Sequence, residues 1–316
     1  MPVKQDIIMP KPEEISAARL CLGTVQLGQS YGFAALVKAR TSSCSDGLLD
    51  RAIELGVRQF DTARAYGPAE ELIGNWLRQS DVIPSDLKII SKIPKSTDVD
   101  DAALPHWVDT CLQTSAQHLG QYLNGYLLHH PTDLERPALW KCLQRARARG
   151  AFAAIGASIY EAEHLVAACA LDDLDLVQLP INLGRRTAAW DRALEIATEA
   201  GLGLYGRGVF LQGLLLADPC NLPPDFAPAQ NFLVRFHGIC ADANTRPSDL
   251  CVAAALKRLG KGGRVVLGAD SRQQLDGLLP CYTVPDQLVT DAEDLAEKYL
   301  PVEFRDPRTW PRQNRG

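Results

Sequence analysis

The feature that most narrows what this chain can fold into is its end-to-end alternation of short apolar runs with longer amphipathic stretches. "RLCLGTV" precedes "SDGLLDRAIELG", in which Ser45 suits an N-cap, Leu48, Leu49, Ala52 and Ile53 recur at helical spacing and Gly56 provides a stop. "VRQF" precedes "PAEELIGNWLRQ", with Pro68 placed for a first helical turn. The same pairing recurs after "LKIIS", "GYLLHH", "FAAIGAS", "LDLVQLPIN", "LGLYGRG" and "RVVLGAD", giving eight units. The strand-like runs are continuously apolar rather than alternating, as expected of parallel strands covered on both faces. Eight such units in 316 residues predict an α/β fold, a closed (β/α)8 TIM barrel forming a single domain over 1–316. The competing architecture, a doubly wound open sheet, would bring a G-x-G-x-x-G turn after the first strand, and "LGTVQLGQSYG" does not have that spacing.

Two segments depart from the pattern. "LADPCNLPPDFAPAQ" is too rich in Pro, Asp and Asn for regular structure, so a long loop is expected over about 217–247, either a flap over a ligand or a surface excursion. "DPRTWPRQNRG" reads as part of a polar C-terminal tail, about 301–316, lying free in solution rather than folded over a pocket.

Composition excludes several classes of partner. The net charge is −5 and the basic residues are scattered along helices such as "KCLQRARARG", which disfavours nucleic acid and anionic membranes. The nine cysteines are widely spaced, include no C-x-x-C and sit in apolar runs such as "LCVAAAL", as reduced core thiols of a cytoplasmic protein would. The first twenty residues mix Lys4, Asp6, Lys11, Glu13 and Glu14, a pattern of neither signal peptide nor membrane span.

Chemistry concentrates at three successive strand ends. Asp61 and Tyr66 lie five residues apart in "QFDTARAYGPAEELIG", Lys92 ends the next apolar run, and His129 ends the one after. Each alone has a bland reading as a cap, a solvated lysine or a structural histidine; together they fall on one predicted rim. A phenol with a free pKa of ~10 needs a cation beside it to donate a proton near neutrality, and a buried ammonium needs a counterion to stay charged. Lys92 and Asp61 supply these, while a neutral His129 can hold a carbonyl oxygen. The set suits hydride reduction of a carbonyl, or the reverse oxidation of an alcohol, and since no side chain donates hydride a nicotinamide is implied.

These residues, with "LCLGTVQLG", "IISKIP", "YLLHHP", "AIGASIY", "VQLPINL", "GVFLQGLLL" and "VVLGADSRQQL", resemble the aldo-keto reductase family along nearly the whole chain, and most closely its bacterial members with a VFLQG-type segment. The resemblance implies Tyr66 as general acid tuned by Lys92 and Asp61, His129 orienting the carbonyl, and His130 lining the substrate pocket. It further implies Thr24 beside the nicotinamide ribose, Ser158 and Gln178 on the carboxamide, and backbone of Gly208, Phe210, Leu211, Gln212 and Gly213 around the pyrophosphate. Gly268 and Ala269 would approach a phosphate through backbone N–H groups, and Arg272 would reach one by charge. The cofactor expected is NADPH, with NADH the alternative because Asp270 opposes Arg272.

There are departures from the family pattern. Ile159 follows Ser158 where many relatives carry Asn, and Arg207 stands where an aromatic residue commonly stacks on the nicotinamide. A planar guanidinium can also stack, and its charge would disfavour an oxidised ring while attracting phosphate or an anionic substrate. The alternative functions are a nucleotide-sensing protein on the same barrel and a hydrolase with a metal on His129 and His130. Adjacent strand histidines point to opposite faces, which disfavours the second. Substrate identity and oligomeric state are not read from the sequence.

Overall fold

In a computed structural model of the chain, which describes residues 13–29, 32–33 and 47–310, eight parallel strands close into one barrel in sequence order. They are β1 (Leu20–Gly23), β2 (Gln59–Asp61), β3 (Lys88–Ile93), β4 (Leu123–Leu128), β5 (Ala154–Ser158), β6 (Leu176–Pro180), β7 (Gly203–Arg207) and β8 (Arg264–Gly268). The barrel read from the alternation is the barrel observed. The Ser45 cap lies outside the described residues; Gly47 precedes the helix Leu48–Glu54.

Side chains alternate across each strand, so every strand serves two cores. Phe60 faces outward and packs on Trp76 of the helix Ala69–Leu77, at a centroid distance of 5.8 Å. The helix Leu104–Leu119 turns Leu104, Val108, Leu112, Ser115 and Leu119 to the same outer layer at intervals of three or four residues. Inside the barrel, Cys21, Ile90, Leu127, Leu176 and Tyr205 form a separate cluster that plugs the middle. Two residues further along from each of these, with His129 just past the end of β4, come Gly23, Lys92, His129, Gln178 and Arg207. The candidate site is therefore the layer above the plug, at the carboxyl end of the barrel.

Both irregular segments differ from expectation. Within 217–247 the chain forms short 3-10 turns, Pro219–Asn221 and Pro224–Ala229, and then a helix, Gln230–Asp242. Proline's fixed φ suits such turns, and Phe232, Leu233, Phe236 and Cys240 give the helix a buried face. The C-terminal segment is not free through residue 310: Phe304 and Trp310 are buried, and the Trp310 ring meets Phe226 edge-on at 5.1 Å. Trp310 anchors a stretch whose composition alone reads as solvated. Residues 311–316 lie outside the described part. Of the described cysteines all are free; six are buried, Cys169 is half-buried and Cys220 is exposed, against the expectation of core thiols throughout. Among the described residues no helix is long and apolar enough to cross a membrane.

Candidate active site

Asp61 and Lys92 meet at the bottom of the site. Lys92 Nζ donates to Asp61 Oδ1 at 2.7 Å and Oδ2 at 2.9 Å, to the Thr62 carbonyl at 2.9 Å and to Tyr66 Oη at 3.3 Å. An ammonium has three protons, so its donors are fully engaged by a carboxylate, a carbonyl and a phenol. Lys92 has no solvent exposure. The turn that carries Tyr66 presses against the segment after β1: a Cβ on Gly28 would lie 1.6 Å from the Tyr66 carbonyl oxygen, and one on Gly67, with φ +59°, would lie 2.9 Å from the Gly28 carbonyl oxygen. Only glycines permit this crossing, which holds the phenol over the barrel mouth. His129 completes the group, its ring edge-on to Tyr66 with centroids 5.6 Å apart.

The electrostatics follow from burial. Burial alone would push the Lys92 ammonium toward its neutral form, but the Asp61 carboxylate and Tyr66 together raise its pKa above the ordinary lysine value. His129 is pulled down to about 3, first by burial and then by Lys92 and Arg207, so it is a neutral imidazole at physiological pH. Glu70, also buried, accepts from Ser91 Oγ at 2.5 Å, Ser115 Oγ at 2.9 Å and Arg64 at 3.2 Å, tying its helix to β3 behind Lys92.

These groups open into a cavity of about 750 Å³, large enough for a dinucleotide's reactive half and a small substrate. Thr24, Asp61, Tyr66, His129, Ser158 and Gln178 line it, as do Arg207, Gly208, Phe210, Gln212, Gly213 and Gly268. The expected set is thus largely gathered, with four exceptions. Leu211 is buried in the core, and its amide donates to Gly208 while that of Gly213 donates to Phe210, so these two expected phosphate donors are spent inside the loop. Ala269 is buried off the cavity wall. Arg272 points away and pairs with Glu54 at 3.3 Å, half exposed. The start of its helix is capped by Ser271, and the amide of Asp270 donates to Gln274 at 2.7 Å. His130 turns from the cavity toward Thr132, 2.9 Å away, because the strand alternation sends neighbours to opposite sides.

Several wall residues went unread in the sequence. Tyr160 takes the position expected of His130, whose ring it meets at 5.9 Å. Gln26, Phe33 and Asn182 also face the cavity, as do Arg185, Asp306 and Arg308 from the C-terminal side. Asn182 stood in the quoted "VQLPINL", whereas Asp306 and Arg308 reach the wall only through the folded tail. The loop at 208–213 carries its own signature: Leu211 (φ 47°) and Gln212 (φ 53°) are left-handed beside Gly208 and Gly213, and such backbone clusters at ligand clamps.

The residues fit a nicotinamide on one specific observation. Gln178 spends its Nε2 on Asp61 at 2.8 Å, leaving Oε1 buried and without a partner on the cavity wall. An unpaired buried acceptor beside the Ser158 hydroxyl matches a carboxamide, which offers one NH2 and one carbonyl.

A parallel (β/α)8 barrel with a buried lysine–carboxylate pair under a phenol at its carboxyl-end cavity defines a class of protein. The model of the aldo/keto reductase family matches residues 19–296, and the chain belongs to that family. It is similar to an uncharacterized oxidoreductase of Schizosaccharomyces pombe, 27% identical over 124 residues, 38% of this chain and 42% of that protein. It is similar also to the methylglyoxal reductase of Salmonella typhimurium, 30% identical over 210 residues, 61% of this chain and 70% of that protein. The chain thus spans less than half the length of the first of these relatives. The glycerol dehydrogenase of Gluconobacter oxydans has a similar fold, with a TM-score of 0.69 at 18% identity, over 90% of this chain and 92% of that one.

Proposed function

We propose that this protein is a nicotinamide-dependent carbonyl reductase, able to run in reverse as an alcohol dehydrogenase, with Tyr66 as its general acid. The observation that carries the reading is the contact of Lys92 Nζ with Tyr66 Oη at 3.3 Å while Asp61 holds that ammonium from below. A fixed positive charge then lies against the oxygen that must give up its proton. When bound, a reduced nicotinamide supplies the hydride that no side chain can.

Each residue of the site has one task. Tyr66 protonates the carbonyl oxygen as its carbon takes up hydride. His129, neutral, donates an N–H to the same oxygen and so fixes which lone pair faces the phenol. Asp61 keeps Lys92 charged and in place. Ser158 and the free Oε1 of Gln178 select the orientation of the ring by holding its carboxamide. Backbone of the 208–213 loop other than the Leu211 and Gly213 amides carries the rest of the nucleotide, with Arg207 on the wall beside the ring and Thr24 beside the ribose. Small carbonyl compounds, with methylglyoxal the first choice on the name of the 30% identical relative, are the expected substrates.

The test is to follow consumption of NADPH and of NADH with methylglyoxal and a panel of aldehydes, ketones and sugars. Turnover that is lost in Tyr66→Phe supports the reading. Nucleotide binding without turnover on any member of the panel would instead favour a nucleotide-sensing protein. A metal-dependent hydrolase finds no support, since His129 and His130 diverge and no group of three potential metal-binding side chains occurs among the described residues.

A further inference from the structure

We propose that Arg207 makes this site discriminate between the redox states of its cofactor, holding the neutral reduced nicotinamide well and rejecting the cationic oxidised one. The proposal rests on the functional reading above and concerns a charge on that wall which no described carboxylate balances.

Arg207 ends β7, in register with Pro180 and so two residues above the level of Gln178. It lines the cavity with Ser158, Gln178 and His129. Its Nη2 donates to the Ile159 carbonyl at 2.8 Å, and its guanidinium lies 5.0 Å from the centre of the Tyr160 ring. Both partners are uncharged, and among the described residues no carboxylate comes within ion-pair distance of it. Of the other charged residues described on the cavity wall, Asp61, Arg185, Asp306 and Arg308 have ion-pair partners. Asp61 is matched by Lys92. Arg185 and Arg308 share Asp306 and Glu161, and Arg308 also lies 4.9 Å from the centre of the Tyr160 ring. Burial holds His129 and His130 below the ordinary histidine pKa, so neither adds charge at neutral pH. Asp218 and Asp270 also line the cavity, but they belong to the segments after β7 and β8 and do not pair with Arg207.

The sequence left three uses for this arginine open: stacking, phosphate attraction and anionic-substrate attraction. Its place on the neighbouring strand, above Gln178 on the same cavity wall, favours the first, because the group that satisfies Oε1 brings its ring to that wall. Loss of hydride from C4 of a dihydropyridine leaves the ring with one positive charge, the hydride and its electron pair passing to the carbonyl carbon while Tyr66 supplies the proton to oxygen. A fixed guanidinium against that ring costs nothing before the transfer and repels the ring after it. The relatives' aromatic residue at this place would carry no such bias. The consequence for the reaction is a bound couple tilted toward reduction of the carbonyl and rapid departure of the oxidised nucleotide.

The experiment is equilibrium binding of NADPH and NADP+, followed by quenching of intrinsic fluorescence at fixed pH and salt, in wild-type protein, Arg207→Gln and Arg207→Lys. Both nucleotides carry the same phosphates, so any phosphate contact of Arg207 cancels in the ratio of their dissociation constants. Two like unit charges in stacking contact, about 4 Å apart in a part-buried site, predict a ratio favouring NADPH by on the order of tenfold or more. That ratio should collapse toward unity in Arg207→Gln and be largely retained in Arg207→Lys, whose charge survives. A ratio unchanged in Arg207→Gln, or both constants weakened equally, overturns the proposal while leaving the reductase reading standing. Failure of wild-type protein to bind either nucleotide sinks the reductase reading itself, and this inference with it.

Discussion

Gln178 gives its side-chain N–H to Asp61 Oδ1 at 2.8 Å and keeps its carbonyl oxygen buried with no partner. One residue thereby braces the Asp61 carboxylate and presents an acceptor to the cavity. Leaving such an atom unpaired costs about 1–3 kcal/mol, which a ligand's N–H recovers on binding. Gln178→Met should weaken NADPH roughly tenfold while leaving the nicotinamide-free fragment 2'-phospho-ADP-ribose within about twofold. Calorimetric titration of both ligands checks this; equal weakening would show that Gln178 acts on the loop and not on the carboxamide.

Tyr66→Phe removes one oxygen from a cavity wall that otherwise stays as it is. Turnover should fall by at least ~100-fold, the usual contribution of a positioned general acid, with NADPH affinity nearly intact. Steady-state rates set beside nucleotide titration separate the two effects.

The buried ion pair predicts an asymmetry in stability. Lys92→Met strands the Asp61 carboxylate, with 4% exposure, and should cost about 3–5 kcal/mol. The double variant Lys92→Met with Asp61→Leu should recover much of that loss, because no charge is left without a partner. Urea midpoints of the two single variants and the double one test it, and additive losses would contradict it. All three variants should be catalytically dead, so stability and activity part company in the double variant.

His129 supplies a pH signature. Its pKa in the folded protein is about 3, below the ordinary histidine value, so the unfolded chain binds a proton that the folded one refuses. The neutral imidazole's contribution is fully present above about pH 6.5 and is lost as pH falls toward 3, at about 1.4 kcal/mol per pH unit once the unfolded histidine is protonated. Between pH 6.5 and 5, above most carboxylate titrations, His129→Asn should flatten the decline in unfolding free energy. Denaturant melts at several pH values give the two slopes, and parallel slopes would refute the assignment.

Arg272 is predicted to matter little. It is half exposed and paired with Glu54, and surface pairs of this kind contribute about 0–1 kcal/mol. Arg272→Ala should leave the preference between NADPH and NADH within about twofold, read by titrating both. A selective tenfold loss of NADPH would mean that the side chain leaves Glu54 to meet the 2'-phosphate.

The sequence by itself determined what repeats and what is local. Eight apolar runs alternating with helical ones close as a barrel because each parallel strand must be covered on both faces, and the strand ends at Asp61, Lys92 and His129 then share a rim by construction. The period of two along each strand also separates His129 from His130 before any coordinates are seen. Only the tertiary structure decided contacts between segments far apart in the chain. Gln178 is 117 residues from the Asp61 it braces, Arg272 is 218 residues from the Glu54 that occupies it, and Trp310 finds its ring partner in Phe226. Composition counts polar residues and prolines without knowing which neighbours will bury them, so the tail and the 217–247 segment read as loops until their aromatic residues are seen to dock. Local pattern follows from backbone geometry and the hydrophobic effect acting along the chain, whereas the balance of charge at Arg207 depends on which distant carboxylates come within reach.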